Sequence, residues 1–116
     1  MADHLDLGKK GEDWAAEWLQ AKGYQILHRN YRYGRAEVDI IARKDKLLVF
    51  VEVKTRTNLS HGEPEMAVSA QKMIRLKDAA EYFIFSTDWQ HDVRFDVIAI
   101  SMGKDREVLH AEDAFC

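Results

Sequence analysis

Four charged side chains interrupt two apolar stretches of this sequence, and they are the residues best suited to chemistry: Glu37, Asp39, Glu52 and Lys54. Asp39 lies within the run Val-Asp-Ile-Ile, where a carboxylate must face water, a partner or a metal. Glu52 and Lys54 end the second apolar stretch, with Val53 between them. Carboxylate oxygens are the ligands that hard cations such as Mg²⁺ prefer.

The apolar stretches around these residues predict an antiparallel hairpin. Residues 38–42 and 47–51 are almost entirely apolar, and the polar link 43–46 separates them, which is a pattern typical of two paired strands. A symmetric closure of this hairpin pairs Ala42 with Leu47. The hairpin then carries the four charged residues at the ends of its strands that lie farthest from the link.

This register predicts that the charged residues share one face. It sets Asp39 opposite Phe50 and Glu37 opposite Glu52, and side chains alternate along a strand, so these acids emerge together with Lys54. Three carboxylates on one face repel each other. A divalent cation would relieve the repulsion, and the lysine would then orient a water or neutralise charge on a phosphate.

A less specific interpretation of the same residues is open. Glu-x-Lys at the end of a strand is common as a solvated ion pair, which contributes little to stability. Asp39 weighs against this interpretation, because a carboxylate inside an apolar strand is costly to bury without a partner. The two strands together favour a metal site.

Positive charge is concentrated around the acidic residues. The 116-residue chain has a net charge of −3, with 47% hydrophobic and 32% charged residues, which is typical of one soluble globular domain. Residues 28–56 contain eight basic and four acidic residues, so this stretch is +4 and the remainder is −7. Such a distribution suits a polyanionic substrate, and it fits a solvated surface without a partner equally well. The candidates for phosphate contacts are Arg29, Arg32, Arg35 and Arg56.

Several other functions are disfavoured. The single cysteine, Cys116, cannot form an intrachain disulfide. The five histidines lack the spacing of a metalloprotease motif, and no glycine-rich phosphate loop is present. The longest apolar run, 47–51, is too short to cross a bilayer, and the acidic start is unlike a signal peptide. We therefore expect a cytoplasmic protein that does not associate with membranes.

The apolar pattern also predicts the elements that must position the charged residues. Helices are predicted over 6–22 and 64–85, and strands over 24–33, 94–101 and, as a short strand or a loop, 108–111. The order helix, three strands, helix, strand predicts an α/β fold with a mixed sheet, in which the strands on either side of the second helix run parallel. Tyr31 and Tyr33, beside two arginines, fit either base stacking or a half-buried edge strand.

The segments quoted so far resemble a known motif. Asp39, followed on the next strand by Glu52-Val53-Lys54, is similar to the PD-(D/E)xK nuclease motif of the restriction-endonuclease-like fold, with Val38 in place of the proline. The resemblance is closer still to the YraN-like family of small uncharacterised bacterial proteins. Other matching segments are Gly11-Glu12, Gly23-Tyr24, Arg29-Asn30-Tyr31-Arg32, Ala67-Val68 and Arg94-Phe95-Asp96-Val97.

The resemblance implies a fold and a set of site residues. The fold would be three-layered, with a mixed central sheet flanked by helices, as a single restriction-endonuclease-like (YraN-like) domain over residues 1–116. Archaeal Holliday-junction resolvases of this fold are similar in size and order of elements. By this resemblance Asp39 and Glu52 are direct metal ligands, Glu12 and the Val53 carbonyl are further ligands, and Lys54 positions the attacking water.

The implied function is hydrolysis of phosphodiester bonds in structured or branched DNA with Mg²⁺ or Mn²⁺, and Lys72 joins the arginines as a phosphate contact by the same resemblance. Two alternatives are open: a non-catalytic nucleic-acid-binding module, and a protein-interaction domain on an inactive nuclease scaffold. A resolvase would act as a homodimer, because a two-fold axis supplies two active sites. The sequence assigns no separate role to Glu37.

Overall fold

The computed structural model describes residues 4–56, 68–102 and 106–114, which form two helices and one five-stranded sheet. In chain order the elements are α1 (His4–Ala21), β1 (Gln25–Tyr33), β2 (Ala36–Lys44), β3 (Leu47–Arg56), α2 (Ala70–Thr87), β4 (Asp92–Met102) and β5 (Arg106–Ala111). The strands follow the order β1-β2-β3-β4-β5, and β3 and β4 are parallel while the other neighbours are antiparallel. The predicted α/β fold with a mixed sheet is confirmed, and it is compatible with a restriction-endonuclease-like fold.

The helices cover opposite faces of the sheet because the central strands are apolar on both sides. Along β3, Leu48 and Phe50 belong to the cluster that packs on α2, whereas Val49 and Val51 belong to the cluster that packs on α1. This alternation is the period of two expected of a strand. Strands buried on both faces read as continuous apolar runs. Glu52, the next residue along β3, therefore points to the α2 side.

The hairpin of β2 and β3 is tighter than predicted. Its link is a two-residue turn in which Asp45 adopts a φ of 54°, a left-handed conformation that aspartate tolerates. Arg43 and Lys44 belong to β2, so Ala42 pairs with Val49. The predicted pairing of Ala42 with Leu47 is wrong by two positions.

The corrected register matters for the site. The regular pairing of β2 with β3 runs from the turn to the pair of Ile40 and Val51. The next residues along the two strands are Asp39 and Glu52, so the hairpin brings these carboxylates towards each other. The predicted pairings of Asp39 with Phe50 and of Glu37 with Glu52 are wrong for the same reason, since both assume the longer link.

The second helix begins later than predicted. Val68 and Ser69 precede it, and the Ser69 hydroxyl accepts a hydrogen bond from the Lys72 backbone N–H at 3.2 Å, which is the geometry of an N-cap. Pro64, the predicted first-turn residue, lies outside the described residues. The cap places Lys72 in the first turn of α2, beside the end of β3. In the described ranges, no helix is long and apolar enough to cross a membrane.

Candidate active site

Where the ladder of β2 and β3 ends, the Asp39 side chain accepts a backbone hydrogen bond in place of a carbonyl oxygen. Its Oδ2 accepts the backbone N–H of Val53 at 2.7 Å, a donor that would otherwise seek a carbonyl oxygen on a neighbouring strand. The carboxylate is thereby fixed against β3, one residue beyond Glu52. This hydrogen bond places Asp39 beside the end of β3 that carries Glu52.

Glu52 is a buried carboxylate with only one of its two oxygens engaged. The residue is 6% exposed, and its Oε1 accepts a hydrogen bond from the Lys72 ammonium at 2.7 Å. Its Oε2 is buried and has no hydrogen-bond partner among the described residues. A buried oxygen that lacks a donor costs free energy, so this atom is a natural ligand for a cation.

The ionisation of Asp39 reflects the same shortage of donors. Burial and the neighbouring charge of Glu52 raise the pKa of Asp39 to about 7, and the charge of Glu12 adds to this effect. The hydrogen bond from Val53 and the charge of Lys72 oppose the shift without overcoming it. A carboxylate with such a pKa is poised for either a proton or a cation near neutral pH.

The two carboxylates line a cleft of about 390 Å³ between the hairpin and α2. Its charged lining consists of Arg35, Glu37, Asp39, Glu52, Lys72 and Arg75. Arg75 was not predicted as a site residue. Positions three apart on a helix share a face, so its spacing from Lys72 was the signal in the sequence that pointed to it.

Glu12 lies near the cleft but is engaged elsewhere. Its Oε1 accepts hydrogen bonds from Asn30 Nδ2 at 2.9 Å and from Arg29 Nε at 3.2 Å. The approach of α1 to β3 at this level depends on Gly11, because a Cβ there would collide with the side chain of Thr55. Glu12 is thus held within electrostatic range of Asp39 and outside the cleft lining, and its role as a ligand stays a prediction.

The predicted phosphate contacts fall into two groups. Arg29 also pairs with Asp13 at 2.7 Å, and Arg32 pairs with Glu37 across the ladder of β1 and β2 at 2.9 Å. These guanidinium groups are engaged by carboxylates of the protein itself. Arg35 is exposed and lines the cleft.

The two predicted basic residues of β3 lie beyond Glu52. Lys54 is half-buried and Arg56 is exposed at the end of the strand. Since alternate residues share a face, Lys54 emerges on the same side of β3 as Glu52, but it is not among the residues that line the cleft. Its role with the attacking water stays a prediction.

The donor set of the cleft fits one kind of metal better than others. Within the described ranges, no group of three or more His, Cys, Asp or Glu residues could hold a metal ion. A closed cage of protein ligands, as in a structural zinc site, is therefore absent from these ranges. Mg²⁺ typically binds through one or two carboxylates and keeps several waters, which the pair of Asp39 and Glu52 can satisfy.

Comparison with known proteins identifies the family. A family model described as "Uncharacterised protein family UPF0102" matches residues 11–100. The chain belongs to this family. A UPF0102 protein of Flavobacterium psychrophilum is 46% identical over 116 residues, covering 99% of this chain and 98% of its own. One from Prosthecochloris aestuarii is 48% identical over 118 residues, covering 95% and 93%. The resemblance to the YraN-like family is confirmed, and this membership assigns no reaction.

A second buried carboxylate of this UPF0102 chain lies on the α1 side of the sheet, and only its place in a segment that matches the family distinguished it in the sequence. Asp96 on β4 is completely buried. It accepts hydrogen bonds from both sides of the Arg94 fork at 2.8 Å, from His110 Nε2 at 2.8 Å and from the backbone N–H of Asp113 at 3.0 Å. Burial alone would raise the pKa of Asp96, but these donors outweigh it and lower the pKa to about 2.

His110 links this carboxylate to α1. Its Nδ1 lies 3.2 Å from Trp18 Nε1, and an indole N–H can only donate. Nδ1 is therefore the acceptor, and the proton on Nε2 is donated to Asp96. Arg94 in turn donates to the Tyr24 hydroxyl at 2.8 Å. Every partner of Asp96 is thus a donor held by the fold.

Proposed function

We propose that this UPF0102 protein is a metal-dependent nuclease that hydrolyses phosphodiester bonds in structured or branched DNA. One observation carries the proposal: Asp39 and Glu52 meet at the end of the hairpin ladder with fewer donors than their oxygens require. Glu52 Oε2 is buried without a described partner, and the pKa of Asp39 is raised to about 7. Such a pair lowers the stability of the folded protein, and a bound cation would compensate for the missing donors.

The proposed cation is Mg²⁺ or Mn²⁺, held by Asp39 and Glu52, with Glu12 and the Val53 carbonyl as further ligands by family resemblance. When bound at such a site, a divalent ion lowers the pKa of a coordinated water and offsets charge on a phosphate. Lys54 would orient that water.

The basic residues of the cleft would hold the substrate. Arg35 and Arg75 are exposed and line it from opposite sides, one on the turn after β1 and one on α2. An arginine fork matches two phosphate oxygens. Lys72 orients Glu52 through its 2.7 Å ion pair, so it supports a ligand as well as adding positive charge. Arg56 is a further exposed candidate for a backbone contact.

A nucleic-acid-binding module without catalysis is the second candidate. The Lys72 ammonium already compensates part of the charge of Glu52, and the described residues include no group of three or more His, Cys, Asp or Glu that could hold a metal ion. In this case the arginines would bind phosphates whether or not metal is added.

The test is incubation of the purified protein with fluorescent duplex, flap, single-stranded and four-way-junction DNA in Mg²⁺, Mn²⁺ or EDTA. Asp39→Asn and Glu52→Gln remove one carboxylate each, and Asp45→Asn is the matched control on the same hairpin. We expect metal-dependent cleavage by the wild type and the control, and none by the other two. Binding without cleavage would favour the module, and the absence of both would contradict a nucleic-acid function.

The oligomeric state sharpens the choice of substrate. A four-way junction is cut symmetrically by two active sites, so a junction-cutting enzyme of this size should be a two-fold dimer. Light scattering on the protein, alone and with the junction, measures this directly. A monomer in both conditions would favour a flap or another substrate that needs one cut.

A further inference from the structure

Two tyrosines form an exposed stack beside the cleft. Tyr33 ends β1 and Tyr82 lies on α2, and their ring centroids are 4.5 Å apart with planes inclined by 23°. Tyr33 is 42% exposed and Tyr82 is 49% exposed. Tyr31, in contrast, packs edge-on against Phe83 in the core at 5.3 Å. Of the two tyrosines that the sequence offered for base stacking, Tyr33 is thus the exposed one.

Both halves of the tyrosine stack are connected to the cleft. Tyr33 pairs with Ala36 across the turn, and Ala36 and Arg35 line the cleft. Tyr82 follows Arg75 at position i+7 of α2, which returns to the same face of the helix. A helix rises about 10 Å between such positions, which is close to three stacked bases at about 3.4 Å each. Arg75 and Tyr82 therefore lie on one face of α2, with Asp78 between them, and Arg35 follows Tyr33 by two residues.

We propose that this tyrosine stack binds an unpaired nucleobase of a strand whose phosphates lie along Arg35 and Arg75. The preferred substrate then carries a single-stranded extension next to its duplex. This inference rests on the proposed nuclease function and narrows its substrate. Aromatic faces stack on any base and cations hold the backbone, which is the usual combination at sites for single strands. The cations beside the stack favour this ligand over an apolar peptide.

The exposed apolar residues elsewhere on α2 provide the contrast. Phe85 is 87% exposed and Ile74 is 63% exposed, and neither belongs to the tyrosine stack or to the cleft lining. If α2 presented a docking face for a protein, Phe85 would matter as much as Tyr82. A stacking site for bases depends on the aromatic faces of Tyr33 and Tyr82 instead.

The experiment measures DNA binding of the full chain by fluorescence anisotropy in EDTA, so that no cleavage intervenes. One probe is a blunt duplex and the other is the same duplex with a short single-stranded extension. We expect the wild type to prefer the extended probe, and Tyr33→Leu and Tyr82→Leu to reduce that preference by about 5- to 100-fold. Tyr82→Phe restores the aromatic face and should restore the preference, and Phe85→Leu is the control. Thermal melts verify that each variant is folded.

The outcomes separate this inference from the proposed function. Equal binding of the two probes by the wild type, or an unchanged preference in both leucine variants, would overturn the stacking site while leaving metal-dependent cleavage of duplex DNA intact. A loss in Phe85→Leu as large as in Tyr82→Leu would replace it by an apolar docking face. Failure to bind DNA of either kind would overturn the inference and the nucleic-acid function together.

Discussion

Asp39 on β2 and Asp96 on β4 belong to the same sheet, and their surroundings shift their pKa values in opposite directions. Asp96 is the more deeply buried of the two, yet its pKa is lowered to about 2, whereas the pKa of Asp39 is raised to about 7. Burial disfavours the charged form of both carboxylates, and only at Asp96 do the hydrogen-bond donors outweigh it. Asp96 receives donors from Arg94, His110 and a backbone N–H, while Asp39 has the Val53 N–H and faces other acids.

The comparison separates a structural carboxylate from one suited to a ligand. The partners of Asp96 reach α1 through His110, the start of β1 through Tyr24, and β5, so this network fastens the elements on one side of the sheet. The pair of Asp39 and Glu52 lies at the open end of the hairpin and lacks such donors. The fold tolerates this shortage at the point where the proposed cation binds.

The largest expected effect concerns Asp96, the carboxylate whose oxygens all accept hydrogen bonds. Asp96→Ala leaves Arg94 and His110 without their buried partner, so the free energy of unfolding should fall by about 3–5 kcal/mol. Urea unfolding measures this loss, and Asp92→Ala at an exposed position of β4 is the control. A change near that of the control would show that Asp96 is dispensable and would contradict its role as a structural carboxylate.

The acid stability of the protein should depend on the same residue. The folded pKa of Asp96, about 2, lies below the unfolded value of about 3.9. Its contribution is therefore present above pH 4 and is lost as the pH falls towards 2, a loss of about 2 kcal/mol. Unfolding measured between pH 5 and pH 2 should show this decline in the wild type. A profile that is flat across this range would contradict the lowered pKa.

Asp39 should give the opposite dependence of folding stability on pH, near neutral pH. Its folded pKa, about 7, lies above the unfolded value, so the metal-free protein should gain stability as the pH falls from 8 to 5. Asp39→Asn removes the ionised form and should raise the free energy of unfolding at pH 8 by about 1–2 kcal/mol in EDTA. A destabilised Asp39→Asn variant at that pH would show that the carboxylate is satisfied after all.

The sequence predicted the helices and strands better than it predicted the contacts between them. Apolar periodicity is a local pattern and predicted both helices, and the order of elements predicted the parallel pair of β3 and β4 through the crossover by α2. The register failed on the tight turn at Asp45. A shift of two keeps every side chain on its face, so the apolar pattern could not detect the error, although it changed the partner of each paired residue of the hairpin.

The contacts between distant segments lay beyond the sequence. The ion pair of Lys72 with Glu52 depends on where α2 begins, and the cap by Ser69 sets that point. The network around Asp96 joins Tyr24 and His110, which are far apart in the chain, and neither residue type indicates a buried partner by itself. Family resemblance singled out Lys72, but only the packing of α2 on the sheet shows the contact that it makes.

The smallest expected effect concerns Lys72, whose ammonium group lies in the cleft and pairs with Glu52. Lys72→Met removes the donor to Glu52 Oε1, and since Lys72 is half-exposed the unfolding free energy should fall by about 1 kcal/mol in EDTA. A bound divalent ion replaces the missing charge, so Mg²⁺ should raise the melting temperature of the variant more than that of the wild type. Lys77→Met, at an exposed position of α2, is the control. An equal response to Mg²⁺ in the three proteins would show that the ammonium and the metal do not share Glu52.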